Sequence, residues 1–335
     1  MKAALRYRYG PPEVVELRDV ERPAPADGEI LVRVRAASVN RADLDGLKPK
    51  PGFVRLFMGL RAPKSPEVGI DAAGVVEAVG PGASRFKAGD GVMTDLFAAG
   101  RFGAFAEYVC AKEKAFEPIP AGMSFEDAST LPHSAVLALQ GMRMRNGRTF
   151  KPGDAVLIDG ASGNVGPFAV QIAKAMGAEV TGVARGNKLE FVRSLGADHV
   201  IDYEDVDFTK ASERYDWIVA VDSHHSIRAA RRALKPNGVY LTLGGDSASI
   251  IASIFGSLVI SRFGDKWSGL MLWWKPLNRP DVETIKELIA AGKLKPVIDR
   301  VLPLTDVVKA LRYVEDGQAS GKVVISIPDR ERPPA

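Results

Sequence analysis

The stretch that decides the fold of this chain reads Ile158-Asp159-Gly160-Ala161-Ser162-Gly163-Asn164-Val165-Gly166. An apolar strand pattern, Ala155–Asp159, precedes it, and an amphipathic helix pattern, Val165–Met176, follows. Small residues in such a turn let the backbone approach a pyrophosphate, and the next helix directs N–H groups at that negative charge. Because a glycine-rich string alone is weak evidence, the flanking strand and helix are what favour a dinucleotide site over a merely structural turn. The predicted site comprises Gly160, Ala161, Ser162, Gly163, Asn164, Val165 and Gly166.

The end of the second strand pattern, Glu179–Ala184, indicates which dinucleotide is bound. Sites that prefer NAD place an Asp or Glu there for the ribose 2′-hydroxyl, but this chain has two cations, Arg185 and Lys188. A guanidinium binds a 2′-phosphate through two hydrogen bonds, an ammonium binds it as a point charge, and Tyr203 offers a hydroxyl. The alternative, that the cations only solvate a helix start, is disfavoured because positive charge is unfavourable at that helix end. We therefore predict NADPH as the cofactor.

Outward from this turn, the patterns indicate two domains, as the length of 335 residues suggests. From Asp154 onward, apolar strands alternate with amphipathic helices, which is typical of a parallel, doubly wound sheet. The first third has closely spaced short strands broken by Gly and Pro, which indicates a compact barrel-like β unit. The predicted boundaries are 1–122 for the first domain, 123–277 for the second and 278–335 for a return to the first.

The individual elements are predicted from the same patterns. First-domain strands are expected at Lys2–Tyr7, Val14–Val20, Ile30–Ala36, Ala73–Val79, Gly91–Thr94, Ala104–Ala111 and, at the end of the chain, Lys322–Ile327. Later second-domain strands are expected at His199–Asp202, Trp217–Asp222 and Val239–Leu243. Further helices are expected from Ser124 and at Lys188–Leu195, Ile227–Leu234, Val282–Ala291 and Thr305–Asp316.

Composition and charge exclude several classes of protein. The net charge is only +4, so nucleic acid is not expected as a partner. The single cysteine, Cys110, excludes an internal disulfide and a multi-cysteine metal site, and its apolar neighbours favour a packing role over a reactive thiol. The N-terminus reaches charge before an apolar signal region forms, and the apolar stretch Ala248–Ser261 is shorter than the ~20 residues of a membrane span. We expect a cytoplasmic enzyme.

Several motifs together resemble the zinc-independent medium-chain dehydrogenases/reductases. Val39-Asn40-Arg41-Ala42-Asp43 resembles the Asn-Pro-x-Asp motif of that family, and Gly69–Val76 resembles its Gly-x-Asp-x-x-Gly-Val-Val segment. The other similar stretches are Phe86–Asp90, Gly103–Tyr108, Gly163–Gly166, Leu195–Tyr203 and Lys295–Arg300. The pattern is nearest to the quinone oxidoreductases, in the subgroup of the mitochondrial reticulon-interacting proteins and the chloroplast quinone/enone reductases.

The resemblance implies an α/β protein with a GroES-like, partly open β-barrel domain, a Rossmann domain, an active site in the cleft between them, and a homodimer. It implies that Asn40 lies at the nicotinamide side, where its amide hydrogen-bonds the cofactor or the acceptor. Asp43 would brace the Asn40 loop, or only make a loop hydrogen bond there. Gly244 and Gly245 would let backbone approach the nicotinamide ribose, and Lys322 would cover the cofactor.

The resemblance also provides a test for metals. Zinc-dependent relatives would carry Cys near position 40, Gly-His-Glu near 69–71 and a four-cysteine lobe, whereas this chain has Asn40, Gly69-Ile70-Asp71 and one cysteine. Without thiolate or imidazole ligands at those positions, neither catalytic nor structural zinc is expected. The pair His224-His225 follows a predicted strand, and we expect it to be exposed or at the edge of the cofactor rather than to bind a metal.

The activity implied is hydride transfer from NADPH to an apolar quinone or related carbonyl compound. Several enone reductases carry Tyr-Lys after the Asn-Pro-x-Asp motif, but this chain has Leu44-Asp45 and so lacks that cation for an enolate oxygen. A quinone needs less help, because its reduced product is a stabilised aromatic anion. The apolar segments Gly52–Met58 and Trp267–Trp274 are expected to line the acceptor site or to pack between domains or subunits. The alternatives are a zinc-free enone, alkenal or carbonyl reductase and an NADPH-binding module with little turnover.

Overall fold

The computed structural model describes residues 1–49, 52–143, 148–245, 249–253, 265–271 and 275–328. The chain forms two compact units. The first contains Met1–His133, Lys275–Val282 and Pro296–Ala335, and the second contains Ser134–Trp274 and Glu283–Lys295. These bounds differ from the predicted 1–122, 123–277 and 278–335, because residues 123–133 group with the first unit and Glu283–Lys295 group with the second.

The first unit is built mainly from antiparallel β-structure. Its strands are β1 (Lys2–Arg6), β2 (Val15–Asp19), β3 (Glu29–Val39), β4 (Asp71–Val79), β5 (Gly91–Asp95), β6 (Tyr108–Lys112), β7 (Phe116–Pro118), β14 (Ile298–Pro303) and β15 (Lys322–Ser326). The main sheet runs β14-β15-β3-β4-β5-β7, with β6 on β3, and only the β14–β15 pair is parallel. β1 and β2 form a separate hairpin sheet.

Short helices complete this unit around one apolar core. They are α1 (Arg41–Leu47), α2 (Arg55–Met58), α3 (Phe125–Ser129) and α9 (Val307–Glu315). The core takes the inward residues of β3 to β6 together with α9 residues such as Leu311. Cys110 on β6 is buried, and burial raises the pKa of its thiol to about 11, as its predicted packing role requires. β15 pairs antiparallel with β3, so the last strand does return to the first unit.

The second unit contains a fully parallel six-stranded sheet. Its strands are β8 (Ala155–Asp159), β9 (Glu179–Ala184), β10 (His199–Asp202), β11 (Tyr215–Ala220), β12 (Leu234–Thr242) and β13 (Trp267–Leu270). The order β10-β9-β8-β11-β12-β13 places the first strand, β8, in the middle. Strands are added outward on one side of β8 as far as β10, and then on its other side from β11 onward. This is the doubly wound order of dinucleotide-binding domains, so the predicted parallel sheet is confirmed.

Three helices lie between these strands at nearly the predicted positions: α5 (Gly166–Ala175), α6 (Leu189–Ser194) and α7 (Ile227–Arg232). α4 (Leu131–Gly141) precedes β8, and α8 (Arg279–Ala290) follows β13. α4 begins in the first unit, and α8 contributes residues to both. No helix in the described part of the chain is long and apolar enough to cross a membrane. Residues 248 and 254–261 of the apolar stretch discussed above lie outside the described residues.

Several predicted strand bounds are wrong, for identifiable reasons. β3 continues to Val39, past the predicted end at Ala36, because it pairs with β15 there. β6 begins only at Tyr108, since Ala106 makes an isolated bridge to Ala3 and no ladder with β3. β7, β13 and β14 were not predicted, because they are short or mixed in polarity and depend on pairing with distant strands.

Candidate functional site

The glycine-rich turn leads from β8 into α5 at the point where the sheet reverses its order. Gly160 has a φ of +85°, a left-handed conformation that favours glycine. A Cβ on Gly166 would lie 2.5 Å from the carbonyl oxygen of Ala161, so only glycine lets α5 pack this closely on the turn. The structure therefore brings residues 160–166 together in the predicted arrangement.

Gly163 shows that this turn has room for a ligand. A Cβ there would meet a single described atom within 4 Å, the carbonyl oxygen of Gly160 at 3.6 Å, so packing within the described residues leaves space at this position. The N-terminus of α5 has no side-chain cap at Val165. A helix N-terminus without a capping side chain attracts anions. The turn thus fits the pyrophosphate of a dinucleotide.

The predicted 2′-phosphate site contains a carboxylate that sequence reasoning missed. Arg185, directly after β9, donates from Nε to Glu204 Oε1 at 2.9 Å, and both side chains are about half exposed. The hydrogen bond from Arg185 to Glu204 is the main cause of a raised pKa for Arg185. Tyr203 adds to this rise, and burial opposes it. Lys188 is only 9% exposed, so it is less available to a ligand than the prediction assumed. The sequence did offer a sign of this carboxylate, because Glu204 directly follows Tyr203, a residue that was predicted to belong to the site.

The glycines after β12 are required by close packing. A Cβ on Gly244 would lie 2.7 Å from the carbonyl oxygen of Val221, and one on Gly245 would lie 2.8 Å from the backbone nitrogen of Ser223. Ser223 N–H also donates to the carbonyl oxygen of Gly244 at 3.0 Å. Packing against the segment that follows β11 therefore accounts for both glycines, whether or not the backbone also approaches a ribose.

A buried ionic cluster lies at one end of the main sheet of the first unit. β15 begins with Lys322, β3 ends just before Asn40, β4 begins with Asp71, and β5 ends with Asp95. Asp71 is the direct register partner of Ser38 on one side and of Asp95 on the other. Four neighbouring strands therefore place residues 40, 71, 95 and 322 side by side, and α4 adds His133.

Asn40 links the members of this cluster. Its Nδ2 donates to Asp71 Oδ2 at 3.0 Å and to the Ser38 carbonyl at 3.3 Å, and its Oδ1 accepts from Lys322 Nζ at 2.6 Å. Both donors and one lone pair of the amide are therefore used inside the protein. Lys322 is buried with its ammonium directed at Asn40, rather than being exposed where it could cover a cofactor.

Asp43 makes a hydrogen bond within the Asn40 loop, as both alternatives from the sequence required. Its Oδ2 accepts the backbone N–H of Asn40 at 2.8 Å, which satisfies a donor at the start of α1. Its Oδ1 has no hydrogen-bond partner among the described residues. Burial raises the pKa of Asp43 to about 7, outweighing the Asn40 hydrogen bond and the charges of His133 and Lys322.

His133 and Asp95 form a hydrogen-bonded pair that sequence reasoning missed. His133 Nδ1 lies 3.1 Å from Asp95 Oδ2, and the backbone N–H of His133 donates to Asp71 Oδ2 at 3.3 Å. Burial works to lower the pKa of His133, but the hydrogen bond and charge of Asp95 produce a net rise. The available signal was a histidine and two aspartates inside apolar sequence, although nothing local joins them.

The charges of this cluster balance only when His133 is protonated. Asp43, Asp71 and Asp95 carry three negative charges when ionised, against positive charges on Lys322, on protonated His133 and on the buried Arg6, which Asp43 attracts. Burial, followed by the neighbouring Asp95 charge, raises the pKa of Asp71, and burial lowers the pKa of Lys322. Because a net negative charge is costly away from water, these buried carboxylates favour a proton retained within the cluster.

The paired histidines are separate from this cluster. His224 is exposed and lies 3.3 Å from Asp222, whereas His225 packs edge-on against the Phe208 ring at 4.7 Å between centroids. Neither belongs to the group with metal-ligand spacing found among the described residues, which is Asp71, Asp95 and His133. Of the predicted acceptor-site segments, residues 272–274 lie outside the described residues, as do the side chains of Phe53 and Phe57.

A parallel sheet in this strand order, with a glycine-rich turn before an uncapped helix, is the arrangement of a dinucleotide-binding domain. Residues 26–121 match the model described as "Alcohol dehydrogenase GroES-like domain", and residues 195–325 match "Zinc-binding dehydrogenase". The chain belongs to the medium-chain dehydrogenase/reductase superfamily, among the quinone oxidoreductases and related enzymes. The predicted GroES-like and Rossmann-type domains are confirmed.

Three relatives illustrate the range of this family. The chain is 32% identical to a 2-methylene-furan-3-one reductase of Solanum lycopersicum, covering 97% of this chain and 79% of the relative. It is 31% identical to a chloroplast envelope quinone oxidoreductase homolog of Arabidopsis thaliana, covering 90% and 91%. A quinone oxidoreductase structure from Coxiella burnetii superposes with a TM-score of 0.84 at 27% identity, covering 98% and 99%. The protein is an oxidoreductase of the quinone-reductase type.

Proposed function

We propose that this enzyme transfers hydride from NADPH to an apolar quinone or related carbonyl acceptor without the help of a metal. The observation that carries the dinucleotide-binding part of the proposal is the open glycine at position 163 in the turn before α5, since packing within the described residues does not require a glycine there. The bound nicotinamide supplies the hydride chemistry, and the protein binds, orients and shields the reactants.

The preference for NADPH over NADH rests on Arg185. Its guanidinium follows β9, where a 2′-phosphate would lie, next to the exposed Tyr203 hydroxyl. Arg185→Asp removes a cation and adds repulsion, so NADPH affinity should fall at least tenfold while NADH affinity is kept. Arg193→Asp is the matched control, because Arg193 is equally exposed and also pairs with a glutamate, Glu190. Equal affinity of the wild-type protein for both dinucleotides would refute the preference.

The zinc-free part of the proposal rests on what surrounds Asp71, Asp95 and His133. Asp71 Oδ2 already accepts from Asn40 Nδ2, Ser38 Oγ and the His133 backbone N–H. The buried ammonium of Lys322 lies among the same carboxylates, so a divalent cation would stand beside a fixed positive charge. These residues do not fit a zinc ion, because the ammonium of Lys322 already balances part of their negative charge.

The role proposed for the cluster residues is positioning. Asn40 keeps its amide bonded to Asp71 and Lys322, and Asp43 holds the Asn40 backbone, so both act by fixing the loop that follows β3. Direct contact between Asn40 and the nicotinamide or acceptor would require one of these bonds to be exchanged. Gly244 and Gly245 are kept in the proposed cofactor site as residues that shape its edge, whereas the buried Lys322 is assigned to the ionic cluster around Asn40.

The acceptor is proposed to be a quinone rather than an enone, because Leu44-Asp45 replaces the Tyr-Lys of several enone reductases. The relatives named above include both kinds of enzyme. Steady-state NADPH oxidation with benzoquinones, naphthoquinones, 2-alkenals and cyclic enones tests this choice. Faster turnover of enones would favour the alternative reductase, and binding of NADPH without oxidation by any acceptor would favour a binding module. The homodimer and the cytoplasmic location stay predictions.

A further inference from the structure

The proposed reaction needs a proton as well as a hydride. Hydride transfer from C4 of the nicotinamide moves two electrons and one hydrogen nucleus to the acceptor, which becomes a hydroquinone or enolate anion. That anion becomes neutral only when it takes a proton. A group that supplies this proton must hold it near neutral pH and must reach the surface of the protein.

His133 meets both conditions within the buried cluster. Its side chain is 12% exposed, whereas those of Asp43, Asp71, Asp95 and Lys322 are fully buried. His133 is therefore the member of the cluster with access to the outside. Its Nδ1 is held by Asp95, and its backbone N–H is held by Asp71, so the ring is fixed in orientation.

We propose that His133 is the proton donor of the reduction, and that the buried carboxylates behind it store the proton that reloads it. The imidazolium gives an N–H proton to the oxyanion or carbanion left by hydride transfer and becomes neutral imidazole. Asp95 orients the ring through Nδ1. His133 regains its proton from the neighbouring carboxyl groups, and those groups are recharged from solvent through His133, the cluster member with access to the outside. This inference rests on the proposed reductase function.

The cluster has the composition that such a store requires. Asp43 and Asp71 each have a buried carboxylate oxygen, Oδ1, with no hydrogen-bond partner among the described residues. Burying such an oxygen costs much less in a neutral carboxyl than in a charged carboxylate. The charged groups that face His133 are Asp43, Asp71 and Asp95, which favour its cationic form, and Lys322, which opposes it. When His133 is neutral, the three carboxylates still outnumber the two cations, Lys322 and the buried Arg6 that Asp43 attracts, so the charge balance favours a proton on His133.

The first arm of the test measures protonation without turnover. The chain has four histidines, and titration of histidine-labelled protein by NMR gives the pKa of each. One resonance should titrate above the ordinary value near 6.5, disappear in His133→Gln, and move to lower pH in Asp95→Asn. The Asp95→Asn variant keeps an oxygen that can accept from the Phe97 N–H, as Asp95 does. An imidazole of His133 that stays neutral from pH 5 to pH 9 would overturn the proposal.

The second arm measures the pH profile of kcat with the best acceptor. His133→Gln should lower kcat for an enone about 100-fold, the lower end of the range for general acid catalysis, and less for a quinone. It should also remove the fall of kcat at high pH and reduce the solvent deuterium isotope effect. Asp95→Asn should move that fall to lower pH. His199→Gln is the control, since His199 is exposed and paired with Glu179.

The outcomes separate the two proposals. If the wild-type protein oxidises NADPH and His133→Gln keeps its pH profile and isotope effect, the proton-donor role is refuted and the reductase function stands. If none of the tested acceptors supports NADPH oxidation by the wild-type protein, the reductase function is refuted, and His133 then has no reduction in which to donate a proton. A normal kcat in Asp95→Asn with an unshifted profile would also overturn the coupling between His133 and the cluster.

Discussion

Replacement of Asp43 by asparagine should make the stability of the first unit less dependent on pH. The Asp43 carboxyl is buried, and its pKa rises from 3.8 to about 7 on folding. Because the folded state holds this proton more tightly than the unfolded chain, the stabilisation is fully present below about pH 4 and is lost as the pH rises to about 7. A difference of about 3 pH units at about 1.4 kcal/mol each corresponds to about 4 kcal/mol.

About 3 kcal/mol of this loss should fall between pH 5 and pH 8. Asp43→Asn cannot ionise, and its side-chain oxygen can still accept the Asn40 N–H that Asp43 now accepts at 2.8 Å. The advantage of the variant over the wild-type protein should therefore be about 3 kcal/mol larger at pH 8 than at pH 5. The raised pKa values of Asp71 and His133 act in the same direction, so some dependence on pH remains.

Amide hydrogen exchange of peptides from β3 and β4 is the appropriate assay. All four tryptophans lie in the second unit, at positions 217, 267, 273 and 274, so tryptophan fluorescence does not report on the first. Asp45→Asn is the control, because Asp45 is an exposed carboxylate on the same helix. Equal slopes of opening free energy against pH for the wild-type protein and Asp43→Asn would refute the argument.

Four other predictions concern the cofactor, the Asn40 loop and metals. Glu204→Gln removes the carboxylate that competes for Arg185, so NADPH affinity should rise several-fold in calorimetric titration; an unchanged value would contradict this. Gly163→Ala should weaken both dinucleotides at least tenfold at an unchanged melting temperature, whereas Gly166→Ala, which meets backbone oxygen, should lower the melting temperature. Asn40→Ala should reduce turnover up to ~100-fold by misplacing reactants and should also lower stability; normal turnover would exclude Asn40 from the site. Elemental analysis should find no stoichiometric zinc, and chelator-sensitive turnover would argue against the zinc-free mechanism.

The nucleotide-binding half of the protein could be predicted from sequence in detail. The bounds predicted for β8, β9 and β10 are those observed, and α5 and α6 begin and end within one residue of prediction. The reason is that these elements depend on local information. Strand and helix periodicity identify each segment, and glycines with left-handed or closely packed backbone mark the turn between them.

The surroundings of Arg185 were predicted only in part, because one of the residues that contact its guanidinium is not local in sequence. Arg185 and Tyr203 follow consecutive strands that the sequence located correctly. Their relation to Glu204 depends on the parallel pairing of β9 with β10, which aligns the ends of the two strands. An acidic residue after the third strand therefore faces the cation after the second, although 19 positions separate them.

The sequence by itself determined the α/β class, the Rossmann-type sheet, the glycine-rich turn and the family to which the chain belongs. Only the tertiary structure decided that Asn40, Asp71, Asp95, His133 and Lys322 form one buried cluster. Lys322 and Asn40 are 282 positions apart, and their 2.6 Å contact exists because β15 pairs with β3. Charge balance, burial and proton affinity are properties of groups brought together by such pairing, so they do not appear in any local sequence pattern.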